Sequence, residues 1–265
     1  MDRISKSETI IYKGDIMIDL EKAKREFIKY TNNYDLNDSH ITRKISHSLR
    51  VMEVSRKIAE NLSLTQEQID LATLIGLLHD IARFEQRKRY GTYFDKKSID
   101  HGDFAIELLE ENNFIRNFIE DDKYDKIIKV AIKNHNKYEI EQLDDEEELL
   151  QSKIIKDADK IDIFYQLAYQ FAKNKDNIEN SEISEDYIKQ LKQEKCILRN
   201  IEESAIDELV LITSFIYDIH FDSSLKLIKE ENYIEKMFQQ FNFNEKTNIQ
   251  VEEILKIAKY YLKKY

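Results

Sequence analysis

The stretch LATLIGLLHDIARFEQRKRYGTYF, residues 71–94, begins as an apolar run and ends in charged residues. A histidine and an aspartate, His79 and Asp80, close the apolar run LATLIGLL. A carboxylate that is buried without a partner is costly, so it normally neutralises, pairs with a cation or binds a metal. The position of Asp80 therefore predicts a compensating group elsewhere in the chain.

The composition favours helices. The chain has 265 residues, 42% of them hydrophobic, with no proline and only 4 glycines. An average chain of this length would carry about 13 prolines and 18 glycines. Tight turns and hairpins depend on those residues. The sequence therefore predicts an all-α protein, and its length is enough for one large domain with a substantial core or for two small ones.

The charge and cysteine content exclude several classes of protein. The net charge is −11 and the pI is about 5.2, so the surface repels nucleic acid, and no nucleic-acid partner is expected. Cys196 is the only cysteine, which excludes an intrachain disulfide and fits a cytoplasmic setting. No apolar run reaches the length of a membrane span, and the N-terminus lacks the layout of a signal peptide, so no membrane partner is expected.

Hydrophobic spacing divides the chain into helical segments. The predicted helices cover residues 18–34, 39–62, 63–84, 100–112, 124–140 and 149–173, with a loop at 85–99 and an exposed linker at 174–186. Ser63 and Gln66 form a predicted capping box at the start of the third helix. We expect an N-terminal helical segment at 1–35, a main domain at 36–173, and a C-terminal helical extension at 187–265 that packs on it.

Histidines and aspartates recur on the apolar sides of these helices. His47 lies in the middle of one predicted helix, and His135 follows the apolar positions of another. A single histidine on a helix is usually a surface or packed residue. The run IIKDADKIDIF places three acids within an apolar context: Asp157, Asp159 and Asp162. Together with His79 and Asp80, this pattern indicates a metal site with nitrogen and oxygen ligands.

The order H…HD…D, formed by His47, His79-Asp80 and Asp159, resembles that of the HD-domain metal-dependent phosphohydrolases. The resemblance covers roughly residues 36–170. LLHDIARF resembles the HD helix of that family, and KDADKID resembles its last motif, which points to Asp159 as the ligand rather than its neighbours. The resemblance implies an HD-domain helical bundle with additional C-terminal helices. It also implies a divalent metal (Mn, Fe, Ni, Co, Mg or Zn), with one ion expected and a second left open.

His101 and His135 resemble the extra histidines of binuclear members such as the HD-GYP phosphodiesterases. Those members carry two adjacent histidines in the second motif, whereas Asn134 precedes His135 here, and the GYP motif is absent. The two histidines therefore either hold a second metal or contact the substrate phosphate. In the second case one of them would protonate the leaving oxygen.

Other polar residues follow the HD motif. Arg83 shares the predicted helix face of His79 and is expected to clamp a phosphoryl oxygen, the alternative being a surface salt bridge. Asp100 either orients the imidazole of His101 or only caps the following helix. Four loop residues form either a basic lip for an anion or an ordinary solvated loop: Arg87, Arg89, Tyr90 and Lys97.

The function expected from the resemblance is metal-dependent hydrolysis of a phosphate ester or anhydride in a small phosphorylated substrate. A nucleotide is expected because the family favours nucleotides. The alternatives are a di-iron oxygenase with the same ligand types and a non-catalytic nucleotide-binding module. A homodimer is left open. His220 is either a packed histidine or part of the pocket, and three aromatic residues line a base pocket or belong to the core: Phe164, Tyr165 and Tyr169.

Overall fold

The computed structural model describes residues 18–170, 175–198 and 204–265. Within these ranges the chain is helical and has no β-strand, which confirms the all-α class. The α-helices are α1 Leu20–Thr31, α2 Ser39–Asn61, α3 Gln66–Leu78, α4 Arg83–Tyr90, α5 His101–Glu110, α6 Asp125–Asn134, α7 Glu146–Tyr169, α8 Lys175–Glu179, α9 Glu185–Leu191, α10 Asp207–Thr213, α11 Asp222–Glu230, α12 Tyr233–Phe238 and α13 Glu245–Leu262. Short 3-10 helices occupy Asp95–Lys97, Glu111–Asn117 and Ser214–Asp218. None of the helices in the described ranges is long and apolar enough to cross a bilayer.

The apolar helix α3 lies inside the bundle. All its residues from Leu71 to Leu78 are buried, as expected for a helix that is apolar on every side. Helices α1, α2, α6 and α7 pack around it. Its capping box is formed by Thr65 and Gln68, each side chain accepting a hydrogen bond from the backbone of the other. The predicted box began two residues too early, because Ser63 adopts a left-handed backbone with φ of 56° before the helix starts.

The predicted helix over residues 63–84 is interrupted at the HD pair. Helix α3 ends at Leu78, His79 is its C-cap, and α4 begins at Arg83. Between them the amide of Ile81 donates to the carbonyl of Leu78 and the amide of Arg83 to that of Asp80, as in tight turns. The predicted loop at 85–99 was partly wrong, because α4 continues as far as Tyr90, where a left-handed Gly91 ends it.

The segment 174–186 is not an exposed linker, although residues 171–174 lie outside the described ranges. It contains α8, and the side chains of Ile178 and Ile183 are buried. The C-terminal helices α11 and α12 pack directly against α7, with α12 making the larger contact. Helix α7 therefore contacts both the helices of the main domain and the C-terminal helices. The last motif lies on one of its faces, and the C-terminal helices pack against another.

Asp157 joins α7 to the C-terminal part of the chain. Its side chain is fully buried and accepts hydrogen bonds from the backbone amides of His220 and Phe221 and lies 2.9 Å from Nδ1 of His220. Asp157 is two residues from Asp159, so the two carboxylates leave α7 in nearly opposite directions. His220 is thus a packed histidine on the docking side of α7.

We expect Asp157→Ala to destabilise the protein by about 3 kcal/mol, because two backbone amides and the imidazole of His220 lose their hydrogen-bond acceptor. Urea unfolding followed by circular dichroism measures the change. Asp157→Asn keeps one acceptor oxygen and is expected to lose less. Equal stability of Asp157→Ala and the unmodified protein would show that this contact does not hold the C-terminal helices in place.

Candidate metal centre

Four histidines and two aspartates from five parts of the fold converge inside the bundle. They are His47 from α2, His79 and Asp80 from the turn after α3, His101 from the start of α5, His135 from the end of α6 and Asp159 from α7. All of them are buried except Asp159, whose side chain is one-fifth exposed. The turn between α3 and α4 places Asp80 in this position.

The first group of ligand atoms surrounds one oxygen of Asp80. Nε2 of His47 lies 3.4 Å from Asp80 Oδ2 and 3.2 Å from Nε2 of His79. Asp159 Oδ1 lies 3.1 Å from Nε2 of His47 and 3.8 Å from that of His79. Two imidazole nitrogens and two carboxylates therefore face one small volume, which is a suitable ligand set for a divalent transition metal.

The second group surrounds the other oxygen of Asp80. Nε2 of His101 lies 3.5 Å from Asp80 Oδ1, and Nε2 of His135 lies 3.7 Å from the same oxygen. The two imidazole nitrogens are 3.0 Å apart. The carboxylate of Asp80 thus lies between two pairs of histidines and offers one oxygen to each pair.

Each imidazole is oriented through its Nδ1 atom. His79 and His135 are the C-caps of their helices, and each points Nδ1 at the carbonyl three residues earlier, Gly76 at 2.8 Å and Ile132 at 2.5 Å. Since a carbonyl only accepts, Nδ1 must carry the proton and Nε2 of the neutral ring has a free lone pair. Two carboxylates orient the remaining rings: Asp162 at 2.6 Å from His47 and Asp95 at 2.5 Å from His101.

This donor set fits metal ions. Lone pairs on facing Nε2 atoms 3.0–3.2 Å apart repel each other unless a cation or proton lies between them. Hydrogen bonding of the outer nitrogen to a carbonyl or carboxylate is the usual arrangement around metal-bound histidine. The His/Asp cluster is therefore compatible with divalent metal binding.

Without bound metal, three histidines of the cluster have widely different pKa values. Burial lowers the pKa of His79 to about 3, and burial together with Arg83 lowers the pKa of His101 to about 4. For His47, burial and Lys44 oppose protonation, but hydrogen bonds to the surrounding aspartates outweigh them and raise its pKa to about 10. Burial also disfavours the ionised form of Asp80, yet Lys44 and then His79 hold its pKa well below the usual range.

We expect metal binding to the first group at pH 8 to release about one proton per ion, because His47 must lose its proton to become a ligand. The apparent affinity of that group should fall about tenfold for each pH unit below 10. His101 is neutral above pH 4 and contributes no such dependence to the second group. Calorimetry in buffers of different ionisation enthalpy counts the protons, and release of none would contradict this assignment of His47.

Arg83 forms an ion pair with Asp95 and contacts other groups of the protein around the loop after α4. Its Nη1 donates to the Tyr93 carbonyl, to Asp95 Oδ1 and to Gln86, each at 2.8 Å. Its Nε lies 3.4 Å from Asp80 Oδ1 and has no hydrogen-bond partner. Arg83 therefore ties the loop after α4 to the HD turn and presents one buried N–H toward the cluster.

Most residues of the predicted basic lip contact other side chains of the protein. Arg87 pairs with Asp38 at 2.9 Å, and Arg89 pairs with Glu85 at 2.7 Å. Lys97 lies over the ring of Phe94, and the ring of Tyr90 is half exposed. Asp100 caps α5 by accepting from the amides of Gly102 and Asp103, while Asp95 is the carboxylate that orients His101.

Sequence reasoning missed Lys44 and gave no role to Asp95 or Asp162. Nζ of Lys44 lies 2.5 Å from Asp80 Oδ2 and is the partner that the position of Asp80 required. Lys44 precedes His47 by three residues, so their shared helix face was a usable signal. Asp162 follows Asp159 by three residues and was equally visible, whereas Asp95 lies in a segment without periodicity.

A small cavity of about 130 Å³ adjoins the cluster and is lined by His40, Arg43, Lys44, Tyr93 and Gln166. Lys44 reaches Asp80, and Nε2 of Gln166 lies 3.1 Å from Nδ1 of His47, so these side chains connect the cavity to the first group. The predicted base-pocket residues lie elsewhere. Phe164 is fully buried in the core, and Tyr165 and Tyr169 pack with Tyr233 of α12.

Comparison with known families identifies the class of domain to which this cluster belongs. Residues 45–163 match the family model described as the HD domain, and this range includes every ligand candidate named above. This part of the chain is therefore an HD domain, which confirms the resemblance stated from the motifs. Comparisons with curated proteins and with solved structures give no significant match.

Proposed function

We propose that this HD domain is a metal-dependent phosphohydrolase that cleaves a phosphate ester or anhydride in a small phosphorylated substrate, a nucleotide being the favoured class. The observation that carries the proposal is the carboxylate of Asp80 between two pairs of histidines. The family match supports a hydrolase of the metal-dependent type. The acidic surface of the chain does not oppose an anionic substrate, because the cavity beside the cluster is lined by Arg43 and Lys44.

The first group of ligands would hold one divalent ion and the second group another, with Asp80 shared between them. Ions held there would lower the pKa of water towards neutrality and would neutralise charge on the phosphoryl group. On this interpretation His101 and His135 are ligands rather than proton donors. Arg83 acts as a positioning residue, because it fixes the loop that carries Asp95 and through it the ring of His101.

The side chains at the cavity supply the remaining functions. Lys44 and Arg43 place two positive charges where phosphoryl oxygens would approach the cluster. His40 is the histidine of this cavity, and its Nδ1 is held by Asp38 at 2.9 Å, so in the protonated, cationic ring Nε2 would be the atom that donates a proton to the leaving oxygen. The ring of Tyr93 also lines this cavity.

Metal content and hydrolysis test the proposal together. We expect about two ions per chain in the unmodified protein after reconstitution with Mn²⁺, and phosphate or pyrophosphate release from a panel of nucleotides. Asp159→Ala should lose the ion of the first group and His135→Ala that of the second, so each variant retains about one. His40→Ala is the matched control, since it should keep both ions while slowing hydrolysis.

A di-iron oxygenase is a second candidate, because two histidine pairs that share a carboxylate also suit paired irons. Iron as the bound metal together with oxygen consumption on addition of an organic substrate would favour it. Hydrolysis supported by Mn²⁺ under anaerobic conditions would exclude oxygen as a reactant and support the phosphohydrolase. Full metal content without hydrolysis of any nucleotide tested would favour the non-catalytic binding module.

A further inference from the structure

A second cavity, of about 420 Å³, lies between α1, α2, α7 and α12. Its volume falls within the range of roughly 300–1,000 Å³ that is typical of small-molecule sites. It lies at the junction between the HD domain and the C-terminal helices, since Tyr233 of α12 closes one side. Such junctions are preferred places for ligand pockets.

The charged side chains around this cavity leave an excess of positive charge. They are Lys24, Arg50, Glu53, Lys57 and Asp162. Glu53 pairs at 2.9 Å with Arg56, which also pairs with Glu60 at 2.6 Å. Asp162 pairs with Arg50 at 2.5 Å and with His47 at 2.6 Å. Lys24 and Lys57 have no ion pair with any residue in the described ranges. In a chain of net charge −11, two unpaired lysines around one cavity indicate an anionic ligand.

Arg50 is fixed in a position to join them. Its Nε and Nη2 donate to the two oxygens of Asp162, at 2.5 and 3.0 Å, and its guanidinium lies over the ring of Tyr165 at 5.1 Å. Its Nη1 makes no hydrogen bond within the part of the chain that the structure describes. A guanidinium that is already ordered loses little conformational entropy when it binds an anion.

The rest of the lining is apolar or aromatic. The rings of Tyr165 and Tyr233 stand perpendicular to each other with their centroids 6.4 Å apart, and three aliphatic side chains complete the wall: Leu49, Val54 and Ile161. A ligand that satisfies this lining has a negative end for the lysines and Arg50 and a flat apolar part for the tyrosines.

We propose that this cavity is a binding site for a nucleoside monophosphate, separate from the cavity beside the metal cluster. The phosphate lies between Lys24, Lys57 and Nη1 of Arg50, and the base packs against the tyrosine and aliphatic wall. Because Arg50 contacts Asp162, and Asp162 contacts His47, the site lies two hydrogen-bonded contacts from a candidate metal ligand. The proposal does not rest on hydrolase activity.

Calorimetric titration of the EDTA-treated 265-residue chain with AMP tests the site, because protein without metal should bind AMP without hydrolysing it. We expect the double variant Lys24→Gln/Lys57→Gln to weaken AMP binding at least about tenfold, since two charge-assisted contacts are lost. The double variant Lys29→Gln/Lys226→Gln removes two exposed lysines that line neither cavity, so it is the matched control and should bind AMP as the unmodified protein does. Adenosine should bind at least about tenfold more weakly than AMP, because it lacks the phosphate.

Three outcomes would overturn the proposal. The first is no AMP binding at millimolar concentration, and the second is adenosine binding as tightly as AMP. The third is AMP binding that Lys44→Gln abolishes and Lys24→Gln/Lys57→Gln leaves unchanged, which would locate the nucleotide beside the metal cluster. Lys24 and Lys57 are at least partly exposed and lack ion pairs, so their double variant should fold, and its melting temperature checks this. These outcomes are independent of whether the reconstituted protein hydrolyses nucleotides.

Discussion

Asp80→Asn is expected to remove both metal ions and to lower nucleotide hydrolysis about 1,000-fold or more. Among the described residues, Asp80 is the one carboxylate within reach of both histidine pairs, so its loss affects both ligand groups at once. An amide is neutral and a poor ligand for a transition metal. Loss of metal stabilisation of the transition state is worth several kcal/mol, and about 4 kcal/mol corresponds to three orders of magnitude in rate.

Asp80→Asn should still fold. Its side chain is almost the same size as aspartate, and the charge that it removes is buried next to the cation of Lys44, which is itself about one-quarter exposed and can turn toward solvent. Metal analysis by mass spectrometry, hydrolysis assays and near-ultraviolet circular dichroism separate the two effects. A folded Asp80→Asn protein that retains two ions would contradict the assignment of Asp80 as the shared ligand.

Gly76→Ala is expected to destabilise the protein by about 2–3 kcal/mol and to weaken metal binding. A Cβ at this position would lie 2.6 Å from Oγ of Ser55, 2.9 Å from the Cα of Met52 and 3.0 Å from the carbonyl of Val51. Two of these are backbone atoms of α2, so the helices must separate, and overpacking of this kind costs more than the gain in helix propensity. The carbonyl of Gly76 also accepts the hydrogen bond that orients His79, so the shift reaches the metal centre.

Gly91→Ala is the matched control for Gly76→Ala. Gly91 ends α4 with φ of 70°, and an added Cβ would meet no atom within 4 Å. The cost there is backbone strain alone, about 1 kcal/mol, and metal binding should not change. Urea unfolding and metal titration of both variants make the comparison. If Gly91→Ala proved the more destabilising of the two, close packing of α2 on α3 would not be the reason for glycine at position 76.

Local sequence was sufficient for the helical class and for the residue types of the candidate metal centre. A chain without proline and with few glycines lacks the residues that tight turns between strands require, which favours helices. The described ranges contain no strand. The apolar setting of His79 and Asp80 indicated a buried charge that needed a partner. The motifs around His47, Asp80 and Asp159 then indicated the HD domain, which the family match over residues 45–163 confirms.

Local sequence was insufficient wherever a distant residue determines the geometry. Helix propensity favours continuing α3 through LLHDIARF, but the chain turns at His79, where the ring satisfies the carbonyl of Gly76 and Asp80 meets Lys44 of another helix. The segment at 174–186 is polar, yet Ile178 and Ile183 fill a site in the core that its composition did not reveal.

The pairing of polar residues was decided by the tertiary structure for the same reason. Asp95, in a segment without periodicity, orients His101, whereas the adjacent Asp100 only caps α5. The division of the histidines into two groups around Asp80 depends on four helices meeting at one point. Periodicity reports which face of a helix is buried, and it carries no information about which residue of another helix lies opposite. The sequence alone therefore determined the helical class and the residue types of the candidate metal centre, and only the packing of the helices determined how those residues are arranged around Asp80.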